Sequence, residues 1–407
     1  MVMEDAFIPY GRQVVDEEDI QEVVRVLRSD WLTQGPKVEE FEEAFAAYTG
    51  ADFAVAVNSG TAALAMAARV SGMGPGDMVA VSPITFAASS NSAMYLKADP
   101  VFLDIDPETV NLDPKKLREH LELSAHLRSV IPVHYAGLPC NMPEIHALSR
   151  KFGMVVIEDA CHALGATYED PETGETVKVG SCRHSHMAVF SFHPVKHITT
   201  GEGGMIVTND RELYHRLKLF RSHGITKDPQ LYRKREVWAK YAGQNVPGYY
   251  EMLELGFNFR LPDLNCALGL SQLKKIETFV QARRQAAKWY EEDLGDSPLV
   301  KTPQEPKGYQ SSYHLYPVRI DFKGLGLERT QVMQQLHDKG IGSQVHYIPV
   351  HSHPYYQMLG YDYSTCPNAW EYYDQTLSLP MFASLTREQV ARVSRTLLEI
   401  LKQGVEE

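Results

Sequence analysis

In DIQEVVRVL the apolar residues Ile20, Val23, Val24 and Leu27 recur at i, i+3, i+4 and i+7, so the chain opens on the pattern of an amphipathic helix. The pattern then shortens to β-branched or apolar runs at Ala54–Val57, Val79–Ser82, Val101–Asp104, Val130–Val133, Met154–Ile157, Met187–Phe192 and Met205–Thr208. Helix-like stretches such as TAALAMAARV, DPKKLREHLEL and MPEIHALSRKFG separate most of these runs. Strand–helix alternation predicts an α/β fold built on a mostly parallel, doubly wound sheet of seven strands. Each run is apolar on both faces, as a strand buried between two helical layers should be.

Past residue 262 the pattern changes. The long helical stretch DLNCALGLSQLKKIETFVQARRQAAKWYEEDL runs into PLVKTPQEPKGYQSS, rich in Pro and turn residues. We therefore expect a large domain over residues 1–262 and a smaller C-terminal α/β domain over 263–407 that includes the linking helix. The smaller unit offers a strand at Tyr313–Ile320, a helix around Thr330–His337, a strand at Ser343–Tyr347 and a terminal helix over Arg387–Leu401.

Composition narrows the function. The 407 residues are 44% hydrophobic and 23% charged, those of an ordinary folded protein. A formal charge of −12 opposes attraction to phosphate backbones, so nucleic acid is not an expected partner. No apolar run approaches the roughly 18 residues that span a bilayer, and MVMEDAF carries acid where a signal peptide carries base. The expected setting is the cytoplasm, without membrane contact. Five cysteines with no CxxC pair read as reduced thiols. The 16 histidines show neither HExxH nor a finger spacing, and no metal is expected.

In open parallel sheets ligands bind beyond the carboxyl ends of the strands. After Ala54–Val57 comes NSGTAAL, where Asn58 or Ser59 can cap a helix and Gly60 lets backbone approach a ligand closely. Such a helix start suits a phosphate, although plain capping is the commoner use of NSGT there. After Met154–Ile157 comes EDACHALGA, whose Asp159 reads either as a catalytic acid or as a helix cap. The run Met187–Phe192 leads into HPVKHITTGEGGMIVTND, where Lys196 sits among small residues. Desolvation there would lower its pKa and make it an amine nucleophile. Lysine, acid and anion-binding turn are the parts of a pyridoxal-phosphate site: an amine for the Schiff base, an acid for the pyridine nitrogen, and a phosphate cradle at Ser59–Thr61.

EDACHALGA, FSFHPVKHITTGEGGMIVTND, FRSHG and GFNFRLPDLNCALGLSQL, in that order, resemble the DegT/StrS family of nucleotide-sugar aminotransferases. These are pyridoxal-phosphate enzymes of fold type I, and the resemblance spans roughly residue 8 to residue 400. It implies that Lys196 is the Schiff-base lysine, that Asp159 pairs with the pyridine nitrogen, and that His162 lies near the ring hydroxyl. It also implies that Ser59, Gly60, Thr61 and Ser191 hold the phosphate. Phe86 matches the aromatic that stacks on the ring, with core packing as its alternative. Asn258 matches a residue that reaches the phosphate of the neighbouring subunit, which implies a homodimer with shared active sites.

Within the family, LTQGP, PVHYAGLP, SSYHLYPV and QVHYIPVH are most like the aminotransferases of pseudaminic acid synthesis, which aminate a UDP-linked 4-keto-6-deoxy-N-acetylhexosamine with glutamate. PVHYAG and PGY also resemble the enzyme that aminates a UDP-4-keto-pentose for lipid A. Thr33 of LTQGP, Arg260, His346 and Tyr347 are the residues this implies at the sugar. The expected reaction has two halves, with pyridoxamine phosphate between them and Lys196 moving the proton in each. Sugar 3-dehydrases, which carry His in place of the lysine, and a non-catalytic sensor are the alternatives. Two segments depart from the family pattern, Tyr168–Gly180 and Thr226–Glu254, and either could border the sugar pocket.

Overall fold

The computed structural model describes residues 7–123, 127–234 and 248–406. Among the described residues up to Thr208, nine strands follow in chain order: β1 (Phe53–Val57), β2 (Met78–Val81), β3 (Asp99–Phe102), β4 (Leu127–Ile131), β5 (Val155–Asp159), β6 (Thr167–Glu169), β7 (Thr176–Lys178), β8 (Met187–Ser191) and β9 (Gly204–Thr208). Seven of them form one sheet in the order β1-β9-β8-β5-β4-β2-β3. Its pairings are parallel except those of β9, which runs antiparallel to both β1 and β8. These are the seven runs read from the sequence. β5 continues past its apolar stretch to Asp159, because Glu158 and Asp159 pair with Ala188 and Val189 of β8.

Alternate residues of each strand enter different cores, one on each face of the sheet. Ala54 and Ala56 of β1 pack with Phe41 and Phe45 of helix α2 (Pro36–Thr49), whereas Val55 and Val57 pack with Met66 and Ala67 of helix α3 (Gly60–Val70). Burial on both sides explains why the strands are apolar throughout rather than alternating.

Preceding them, Glu17–Leu27 forms a helix whose N-terminus is closed by a reciprocal capping box between Asp16 and Asp19. Its apolar face does not turn inward as its spacing suggests. The residues buried are Asp19 and Val26, while Ile20 is 46% and Leu27 57% exposed. Polar bonds set this orientation: Asp19 accepts from Gln272 Nε2 at 2.6 Å and from Lys275 Nζ at 2.9 Å.

The helical stretch after residue 262 is two helices, Asp263–Leu273 and Ile276–Leu294. The second of these joins two cores: Ile276, Phe279 and Val280 belong to that of the sheet, and Ala286, Ala287, Tyr290 and Leu294 to a separate C-terminal one. That second core is built on the antiparallel strands Tyr316–Arg319 and Thr376–Leu379 with the helices Arg329–Asp338 and Arg387–Glu406. It also takes in Ile8, which bridges Ile341. The expected strand at Ser343–Tyr347 is absent. Its only ladder contact is a bridge from Gln344 to Ser378, and the segment instead leads into the cavity described below.

Candidate active site

At the carboxyl ends of β1, β5 and β8 lies a cavity of about 450 Å³, lined by Ser59, Gly60, Thr61, Phe86, Asp159, His162, Ser191, Lys196, His346 and Tyr347 among others. Nine of the residues implied for the cofactor or sugar thus converge from sequence positions nearly 300 residues apart, together with Phe86 at the mouth.

The cradle begins at Ser59, which caps α3 by accepting from Ala62 N at 3.1 Å. Gly60 and Thr61 follow in the first turn, where a helix leaves its N–H groups without intrahelical acceptors. Glycine is required here by space: a Cβ at Gly60 would stand 2.8 Å from that of Ser191. The return strand presses equally close, since a Cβ at Gly204 would lie 2.6 Å from the Ser59 carbonyl oxygen. Capping and cradle are therefore one device.

Glu158 and Asp159 end β5 on opposite faces, as neighbours in a strand must. Glu158 turns away, where its Oε2 lies 2.8 Å from His134 Nε2 and Ser185 donates to Oε1. Asp159 turns into the cavity. No helix begins at residues 160–166, so Asp159 is not a helix cap. Its Oδ1 accepts from Cys161 N at 3.2 Å and its Oδ2 from Ser89 Oγ at 2.6 Å.

Lys196 follows β8 and is half-buried. Desolvation holds its amine below the ordinary lysine range, and the Arg283 guanidinium adds to this, against the opposing pull of Cys161 and Asp159. Its Nζ lies 3.3 Å from His314 Nε2. The next residue, His197, sits 3.0 Å from the Ser312 carbonyl oxygen and outside the cavity lining, so the lysine and not the adjacent histidine occupies the site.

Three imidazoles and a phenol crowd the lysine. His162 Nε2 lies 3.1 Å from the Tyr347 hydroxyl, and its buried Nδ1 has no partner among the described residues. Burial, reinforced by the charge of Lys196, keeps His162 and His314 well below the usual histidine range and brings His346 to about 4. All three are neutral near pH 7. Phe86 is 62% exposed on the cavity rim, which excludes core packing as its role.

Three residues implied by the resemblance lie outside this lining. Thr33 is exposed in the loop ahead of α2, and Asn258 is exposed where it bridges Ser222. Arg260 bridges Val57 at the end of β1. Among the described residues, the two departing segments contribute no lining residue either. Tyr168–Gly180 is the β6–β7 hairpin, extended by Tyr309–Gln310 into a small sheet of its own. Thr226–Glu254 begins and ends in a two-stranded pairing of Ile225–Thr226 with Glu251–Met252, and residues 235–247 lie outside the described residues. Conversely, Tyr10, Thr85, Cys161 and His314 line the cavity without having been singled out. His314 falls inside SSYHLYPV, which carries the resemblance, and Thr85 directly precedes Phe86, but nothing in their spacing marks them.

The site fits pyridoxal phosphate: a desolvated amine, a fixed carboxylate across the cavity, and a helix N-terminus with two serines for an anion. Among the described residues no cluster of three or more His, Cys, Asp and Glu side chains could hold a metal, and no helix is long and apolar enough to cross a membrane.

Comparison with known proteins agrees. The DegT/DnrJ/EryC1/StrS aminotransferase family matches residues 13–398. The spore coat polysaccharide biosynthesis protein SpsC of Bacillus subtilis is 39% identical over 398 residues, 97% of each chain. Among solved structures, Helicobacter pylori PseC, an aminotransferase involved in the biosynthesis of pseudoaminic acid, superposes with a TM-score of 0.87 at 32% identity, covering 98% of this chain and 100% of its own. The Streptococcus pneumoniae putative sugar aminotransferase Spr1654, solved in its PLP form, gives 0.86 at 28% identity, with 98% and 99% covered. The chain belongs to the DegT/DnrJ/EryC1/StrS aminotransferase family and is a pyridoxal-phosphate-dependent sugar aminotransferase.

Proposed function

We propose that the enzyme transfers an amino group from glutamate to the C4 ketone of a UDP-linked 4-keto-6-deoxy-N-acetylhexosamine, as in pseudaminic acid-type sugar synthesis. The observation that carries this reading is the likeness to PseC over the full length of both chains. The bound cofactor supplies an electron sink for the carbanion formed at the substrate carbon.

This chain's residues do the rest. Lys196 would hold the cofactor through its amine, and the same Nζ would move the proton between the substrate carbon and the cofactor side. Its depressed pKa suits a base that must be neutral to act. Asp159 would hold the proton on the pyridine nitrogen, and Ser59, Gly60, Thr61 and Ser191 would bind the phosphate. His162 orients the ring hydroxyl and Phe86 covers the ring. His346 and Tyr347 reach the sugar from the C-terminal domain.

Asn258, Arg260 and Thr33 complete the site of a second copy in a homodimer. Their positions outside the lining support this, as does the exposed apolar surface at Ile20, Leu27, Trp31 and Leu32. A cytoplasmic setting belongs to the same reading, supported by five unpaired thiols.

The test is a panel of UDP-, dTDP- and GDP-linked 4-keto sugars with glutamate, read by mass spectrometry. UDP-linked N-acetylhexose should exceed UDP-linked pentose in kcat/KM by orders of magnitude, because a pocket built to bond the acetamido group rejects a sugar lacking it. Equal values, or a preference for the pentose, overturn the substrate assignment.

A further inference from the structure

Asp159 is held by a chain of hydroxyls that enters from the neighbouring helix. Ser89, in the helix Ala88–Met94, is fully buried, and its Oγ lies 2.6 Å from Asp159 Oδ2, 2.7 Å from Thr85 Oγ1 and 3.2 Å from the Phe86 carbonyl oxygen. A serine has one proton to give. The carboxylate takes it, being both the nearer acceptor and the charged one. Ser89 must then accept from Thr85, whose hydroxyl is buried beside it and whose residue lines the cavity. The direction Thr85 to Ser89 to Asp159 thus follows from the single proton of Ser89 going to the carboxylate. A protonated Asp159 would instead compete to donate to Ser89.

The second carboxylate oxygen is fixed as well, by Cys161 N at 3.2 Å. With one protein donor on each oxygen, the plane of the carboxylate is set before any ligand enters, and the remaining lone pairs are those left for the cavity. We propose that Ser89, backed by Thr85, is a positioning residue: it orients Asp159 and so tunes how firmly the cofactor's pyridine nitrogen is held. This rests on the reading of Asp159 as the partner of that nitrogen.

The test uses Ser89→Ala, Thr85→Val and Thr85→Ser. Affinity of the cofactor-free protein for pyridoxal phosphate is measured by titration, alongside kcat, KM and the visible spectrum of the loaded enzyme. Loss of one hydrogen bond to a charged group corresponds to roughly 10- to 100-fold. Ser89→Ala should therefore weaken cofactor affinity and lower kcat within that range while KM for the sugar changes little. Thr85→Val should act in the same direction more weakly, and Thr85→Ser, which keeps the hydroxyl, should match the parent. Parental affinity, kcat and spectrum in Ser89→Ala overturn the proposal, as does a Thr85→Ser variant as impaired as Thr85→Val. Asp159→Asn is run beside them. If it is inactive while Ser89→Ala is unimpaired, the hydroxyl chain alone fails; if Asp159→Asn is also unimpaired, the role of Asp159 fails with it.

Discussion

Two groups of candidate residues occupy opposite environments. Lys196, Asp159, His162, Ser59 and Gly60 line the cavity at the edge of the sheet, buried or half-buried and held among residues of the same chain. Thr33 and Asn258 are exposed at the surface, and Arg260 sits beyond the cavity lining. The first group has its function prepared inside one chain, through burial and hydrogen bonds. The second has positions that a single chain does not explain but a second copy would. Under the proposed homodimer, the first group is prepared by one chain and the second is completed by its partner.

The largest effect should come from the inner group. Lys196→Ala should remove the cofactor's visible band and lower transamination by roughly 10²- to 10⁴-fold, the worth of a positioned proton-transfer group. Purified protein with added cofactor, assayed for turnover, checks this; retained activity would dissolve the distinction between the groups. Asp159→Asn should still bind cofactor but lose kcat by roughly 10- to 100-fold, as expected when a charged hydrogen-bonding partner becomes neutral.

The outer group is sharpened by mixing. The protein should sediment as a homodimer, and inactive Lys196→Ala mixed with inactive Asn258→Ala should regain up to about a quarter of parental activity, since random re-pairing makes half the dimers mixed and each mixed dimer carries one intact site of two. Full activity in a sedimenting monomer would place Asn258 outside the mechanism.

The smallest effect concerns stability. His346 is held near 4 in the folded chain and titrates near 6.5 when unfolded. Between these values the unfolded state binds more protons, so its contribution to stability is present above about 6.5 and is lost as pH falls toward 4. Over this window His346→Gln should flatten the decline of unfolding free energy by up to about 1.4 kcal/mol per pH unit, measured by urea unfolding. An unchanged slope would show that His346 is not desolvated as its surroundings indicate.

How much of this was legible depended on how local the cause is. The strands of the sheet could be read because a strand buried on both faces must be apolar throughout, and that constraint is written residue by residue. Lys196, Asp159 and Ser59–Thr61 could be read because strand ends before turns are where such a sheet gathers its ligands. The stripe of Glu17–Leu27 predicted the helix but not its facing, because periodicity says that one face is apolar, not which way it turns: Gln272 and Lys275, some 250 residues away, bind Asp19 and rotate Ile20 and Leu27 outward. Ser343–Tyr347 has the β-branched and aromatic content of a strand, yet its ladder reduces to one bridge while His346 and Tyr347 are drawn to the cavity. His314 against Lys196, and the chain from Thr85 through Ser89 to Asp159, exist only as juxtapositions across domains and helices. By itself the sequence determined the sheet, its ligand edge and the chemical groups at that edge, because each follows from short-range patterns of burial and turn. Only the tertiary structure decided which faces are covered, which hydroxyl proton points where and which imidazole meets the lysine, because those depend on distances between residues far apart in the chain.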